Sequence, residues 1–139
     1  MAGKRVLIVE DQADIRMVIR GFLERGGYEP DEAADGTEGL AKAESSRPDV
    51  ILLDVEMPGV DGYEVCHGLK ENPETKTIPV IFVTGVEDVE LNRRAYQAGA
   101  VACITKPFRF EALVAVVDAA LASAERQAKP KNKGGASGN

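Results

Sequence analysis

Polar residues of three chemical kinds follow short apolar runs in this sequence. Glu10 and Asp11 follow Val6–Val9, Asp54 follows Val50–Leu53, Thr84 follows Pro79–Val83, and Lys106 lies just beyond Val101–Ile104. Gathered in one place, three carboxylates repel, and without counter-charge some must take up protons. A divalent cation and the Lys106 ammonium remove the conflict, because three negative charges then meet three positive ones. Oxygen ligands of this kind suit Mg²⁺, which prefers a few carboxylates, retained waters and a phosphate. A phosphoryl group gives the other residues roles, since its transfer needs an in-line nucleophile and counter-charge on its oxygens. A carboxylate is a competent nucleophile and forms an acyl phosphate. Asp54 is the best placed, at the end of the most apolar run, with Lys106 supplying charge and Thr84 a hydrogen-bond donor.

These residues are useful only if the chain brings them together. Each apolar run is followed by a polar turn and then by helical spacing. Ile15, Val18, Ile19, Phe22 and Leu23 form one apolar face, ended by Gly26-Gly27, and Leu113, Val116, Val117, Ala120 and Leu121 repeat the pattern. Weaker patterns predict helices over 36–46, with Asp35 as N-cap, over 63–71, and over 87–98, with Gly99 as C-cap. The segment 28–33 is polar and contains Pro30, which suits only a sheet edge. Counting it as a strand, the alternation predicts an α/β fold: a doubly wound (βα)₅ flavodoxin-like sandwich with a five-stranded parallel sheet in the order 2-1-3-4-5. In that order the polar strand is an edge, and functional side chains gather at the carboxyl ends of the strands.

The acid pair in Leu7-Ile8-Val9-Glu10-Asp11, the run Leu53-Asp54-Val55-Glu56-Met57-Pro58-Gly59-Val60-Asp61-Gly62, Val83-Thr84-Gly85 and Ile104-Thr105-Lys106-Pro107-Phe108 resemble the receiver (CheY-like) domains of two-component response regulators. The likeness covers about residues 4–122. It implies that Asp54 accepts a phosphoryl group from a sensor histidine kinase or a histidine phosphotransfer protein, and that an output protein reads the result. It also implies that Asp11, Asp54 and the Glu56 backbone carbonyl hold Mg²⁺, with Glu10 acting through water, and that Thr84 and Lys106 sense the phosphoryl group. The bond before Pro107 is expected to be cis. The family usually has Tyr or Phe three residues before the lysine, where this chain has Cys103, so the conformational output is expected to take another route here or to be smaller. Gly85 stands where alanine is common and is expected to loosen the loop. Glu56 and Val86 occupy positions that flank the attacking water.

The 139 residues suit one domain: a receiver over 4–124, then a basic, glycine-rich tail or linker stub over 125–139. A net charge of −6 argues against direct nucleic-acid binding. Cys66, His67 and Cys103 lack metal-ligand spacing, and no apolar run is long enough for a signal peptide or a membrane span, so a cytoplasmic protein is expected. Taken singly, each site residue has an ordinary alternative: a capping acid, a strand-end turn, a surface lysine. Jointly those alternatives fail, because all the residues would have to fall on strand ends in the order one site needs. Haloacid-dehalogenase-like phosphatases also use an aspartyl phosphate, but their acid pair comes last, whereas Glu10-Asp11 come first. A flavodoxin-like cofactor protein would need a Ser/Thr/Gly-rich loop where Glu10-Asp11-Gln12 stand. The chain is therefore read as a regulator that is phosphorylated on itself and dephosphorylates itself, not as a conventional enzyme.

Overall fold

A computed structural model describes residues 3–59, 61–85 and 89–128. Strands β1 (Arg5–Val9), β2 (Glu29–Ala33), β3 (Val50–Asp54), β4 (Val80–Thr84) and β5 (Ala102–Thr105) alternate with helices α1 (Ala13–Arg25), α2 (Gly36–Ser46), α3 (Gly62–Glu71), α4 (Val89–Ala98) and α5 (Phe110–Ala128). All strand pairs are parallel, in the order β2-β1-β3-β4-β5. The expected boundary after Ala124 falls inside α5, and the remaining tail, 129–139, lies outside the described residues, as does Val86.

The apolar runs are continuous because both faces of the sheet are covered. Alternate residues serve opposite layers. Leu7, Val9, Ile51, Leu53 and Phe82 join the core beneath α2, α3 and α4. Val6, Ile8, Leu52, Ile81 and Val83 join the one beneath α1 and α5. Among the described residues polar β2 pairs only with β1, so Pro30 sits on an edge.

Local chemistry sets the helix ends. The Asp35 carboxylate accepts from the Glu38 N–H at 2.8 Å, capping α2. Gly27 (φ +91) follows the end of α1 and Gly99 (φ +108) that of α4, in a left-handed conformation that glycine adopts without strain. Asp61-Gly62 reads as a turn in the sequence, yet it opens α3: Asp61 accepts from the Tyr63 N–H, and Gly62 is the first helical residue. A Cβ on Gly62 would stand 2.7 Å from the Val55 Cα, which is the close approach that requires glycine. Among the described residues no helix is long and apolar enough to cross a membrane.

Candidate functional site

The strand register assembles the site. Val9 lies opposite Leu53, so the next residues, Glu10 and Asp54, stand abreast where the strand order reverses between β1 and β3. Asp54 lies opposite Val83, one residue before Thr84, and Thr84 lies opposite Thr105, one residue before Lys106. The Lys106 N–H donates to the Thr84 carbonyl at 2.6 Å, and the Lys106–Pro107 bond is cis.

The carboxylates of Glu10, Asp11 and Asp54 each place an oxygen within 4.8 Å of the others. Glu10 and Asp54 are almost wholly buried, at 1% and 2% exposure, and Asp11 is partly so. Lys106 Nζ approaches Glu10 Oε1 at 3.5 Å and Asp54 Oδ2 at 3.6 Å. At those distances it balances charge without making a short hydrogen bond. Glu10 Oε1 and Asp11 Oδ1 are buried oxygens with no hydrogen-bond partner among the described residues. Burial, and after it the Asp54 carboxylate, push the Glu10 carboxyl up to about 7. Orphaned acceptor oxygens that cannot all ionise comfortably are what a small cation of high charge would satisfy, so this donor set fits Mg²⁺.

Backbone groups hold the acids in place. The Glu10 N–H donates to the Ala33 carbonyl at 3.1 Å, and the Gln12 N–H donates to Glu10 Oε2 at 3.2 Å. The Glu56 N–H donates to Asp54 Oδ1 at 2.9 Å. Two contacts escape a reading of the sequence. Arg16 Nη1 donates to the Glu10 carbonyl at 2.8 Å, while its Nε donates to Glu32 at 2.9 Å. Nothing in the spacing separates Arg16 from an ordinary solvated helical arginine. The Gly85 N–H donates to Glu56 Oε1 at 2.7 Å, so the amide expected to lie in a loosened loop is tied across the site.

Of the other residues singled out, His67 is exposed and Cys66 is buried, its thiol donating to the Ala98 carbonyl at 3.3 Å. Burial pushes the Cys66 thiol up to about 11 and raises Cys103 as well, so neither is an activated nucleophile. Cys103 lies beside Phe82 in the β4–β5 register and packs against the core beneath α2, α3 and α4. Phe82 in turn meets Tyr63 edge-on at 5.3 Å, and the Arg94 guanidinium sits 4.0 Å from the Tyr63 ring centre. A cavity of about 550 Å³ beside the acids is walled by Asp14, Ile15, Glu56, Gly85, Lys106 and Phe108, among others. A larger groove of about 780 Å³ opens at the opposite, amino-terminal end of the strands and contains none of these groups.

Comparison with known proteins agrees with this geometry. The family description "Response regulator receiver domain" matches residues 6–118. The transcriptional regulatory protein ResD of Bacillus subtilis is 41% identical over 123 residues, covering 88% of this chain and 50% of ResD. Among solved structures, the chemotaxis protein CheY4 of Vibrio cholerae superposes with a TM-score of 0.82 at 35% identity, covering 86% of this chain and all of that one. The receiver domain of the sensor histidine kinase PA1611 of Pseudomonas aeruginosa, with a magnesium ion coordinated in its active-site cleft, gives 0.80 at 29% identity, covering 87% of this chain and 99% of that one. This chain spans about half the length of curated relatives such as ResD. From its five-stranded parallel sheet to the acids and lysine at the strand ends, the chain belongs to the response regulator receiver domains of two-component signalling.

Proposed function

We propose that this receiver is switched by phosphorylation of Asp54. A carboxylate oxygen of Asp54 forms a bond to phosphorus as the P–N bond to a phosphohistidine breaks. The electron pair leaves with the imidazole nitrogen, which takes up a proton, and the product is an acyl phosphate. Water attack on that phosphorus returns the carboxylate and releases inorganic phosphate. Lys106 and Thr84 contact the phosphoryl oxygens, one by charge and one as a hydrogen-bond donor. Asp11, Asp54 and the Glu56 backbone carbonyl hold Mg²⁺, with Glu10 contributing through water. When bound, the ion neutralises the clustered carboxylates and the charge that builds on the phosphoryl oxygens.

The donor is a sensor histidine kinase or a histidine phosphotransfer protein in the cytoplasm, and the output is a changed protein-binding surface rather than contact with nucleic acid or membrane. Residues 4–124 carry all these groups, and 125–139, whose first residues complete α5, is read as a tail or linker stub. Turnover is slow and confined to the chain's own aspartate, which distinguishes a regulator from a phosphatase. The observation that carries this reading is the cluster of Glu10, Asp11 and Asp54, with unpartnered buried oxygens on Glu10 and Asp11 and with Lys106 Nζ 3.5 Å from Glu10 and 3.6 Å from Asp54. Incubation with acetyl phosphate and Mg²⁺, followed by intact mass, is expected to add one phosphoryl group to the wild type and none to Asp54→Ala. An adduct that persists in the variant would move the nucleophile elsewhere.

A further inference from the structure

The Gly85 amide follows Thr84 directly at the carboxyl end of β4, and its partner is already an anionic oxygen, Glu56 Oε1 at 2.7 Å. Charge-assisted bonds of this length are the stronger kind. The two residues are matched in size as well as charge, because a Cβ on residue 85 would come within 3.0 Å of that same oxygen. The glycine therefore makes room for the acid. Glu56, Gly85 and Lys106 share the wall of one cavity, and Lys106 Nζ is 3.6 Å from Asp54 Oδ2. A phosphoryl group joined to Asp54 and drawn toward Lys106 would bring its oxygens into the space that Glu56 and Gly85 border. Two anions would then compete for one N–H.

We propose that the Glu56 carboxylate is a positioning group, holding the Gly85 amide in the unphosphorylated chain until a phosphoryl group on Asp54 displaces it. This rests on the phosphorylation of Asp54 proposed above. The Val55 N–H donates to the Val83 carbonyl at 3.1 Å on one side of Thr84, and the Glu56 contact ties the β3–α3 loop to the residue on the other side, so its release leaves Thr84 tethered to that loop on one side only. It gives the chain a switching element that needs no aromatic ring at Cys103. It also opposes phosphorylation, because breaking the contact is part of reaching the phosphorylated state.

The test uses the ¹⁵N-labelled full chain as wild type, Glu56→Ala and Glu56→Gln, followed by NMR at the Gly85 amide and by intact mass, with and without acetyl phosphate and Mg²⁺. Glu56 is exposed, so neither substitution threatens the fold. Before phosphorylation, the Gly85 amide proton is expected to resonate upfield in Glu56→Ala relative to wild type, with Glu56→Gln, which keeps an acceptor oxygen, in between. After phosphorylation, the Gly85 signals of wild type and Glu56→Ala are expected to converge. At limiting acetyl phosphate the phosphorylated fraction relative to unphosphorylated chain is expected to rise about threefold in Glu56→Ala, the scale of one exposed hydrogen bond. An unchanged Gly85 signal in unphosphorylated Glu56→Ala overturns the proposal, as does a wild-type contact that survives phosphorylation. If no variant gains a phosphoryl mass, the reading of Asp54 fails too. If the mass appears and Gly85 does not respond, only the role of Glu56 fails.

Discussion

At the scale of single residues, Glu10 concentrates the physics of the site. Its side chain is buried, one oxygen lacks a hydrogen-bond partner among the described residues, and its carboxyl is pushed up to about 7 because burial and Asp54 both disfavour the charge. In the unfolded chain the same group titrates at the ordinary value of 4.5. Between those values the folded state binds more protons than the unfolded state, so stability falls as pH rises from about 4.5 to 7. For the metal-free protein in EDTA, urea unfolding is expected to show a loss of a few kcal/mol between pH 5 and pH 7.5. Saturating Mg²⁺ is expected to reduce that loss, and Glu10→Gln to remove most of it. A wild-type urea midpoint that does not move between pH 5 and pH 7.5 in EDTA would contradict this account of Glu10.

At the scale of elements, the sheet is legible in the sequence because burial on both faces demands unbroken β-branched and aliphatic runs. The runs before Glu10, Asp54 and Thr84 also fix where each side chain emerges. Even β2, with the composition Glu-Pro-Asp-Glu-Ala, is readable from Pro30, which suits only an edge. Contacts between distant elements are not legible, because no periodicity encodes them. Gly85 is 29 residues from Glu56, and Arg16 bridges β1 and β2 from the first turn of α1. The Arg16 bridge has a measurable consequence. Arg16 and Arg20 both hold Glu32, and the Arg16 bond is the foremost reason the Glu32 carboxyl titrates below its usual range. Arg16→Ala is expected to leave the Glu10 carbonyl without its donor, at a cost of about 1–3 kcal/mol. It is also expected to weaken Mg²⁺ binding, because the main chain that carries Glu10 loses one of its restraints. Urea unfolding and Mg²⁺ titration of the variant test both expectations, and wild-type values in each would reduce Arg16 to a surface ion pair.

At the scale of the whole molecule, the site and the fold answer to one another through the seam between β1 and β3. Those strands occupy the interior of the sheet and belong to both cores, so the acids at their ends are held rigidly although they repel. A fold that tolerates such repulsion without an ion should gain stability when one binds, because the bound ion favours the folded state alone. At ten times its dissociation constant, Mg²⁺ is expected to add about 1.4 kcal/mol. In a domain of this size that raises Tm by roughly 3–8 °C. A net charge of −6 offers a rival explanation, since any salt screens repulsion among surface acids. Scans in MgCl₂ and in NaCl of equal ionic strength separate the two, because screening treats the salts alike while a bound ion does not. Asp11→Asn, which removes one acid while leaving nearly all of the surface charge, is expected to lose most of the Mg²⁺ effect and to keep the NaCl effect. Equal rises in the two salts, or an Mg²⁺ effect that survives in Asp11→Asn, would mean that the three carboxylates do not share an ion.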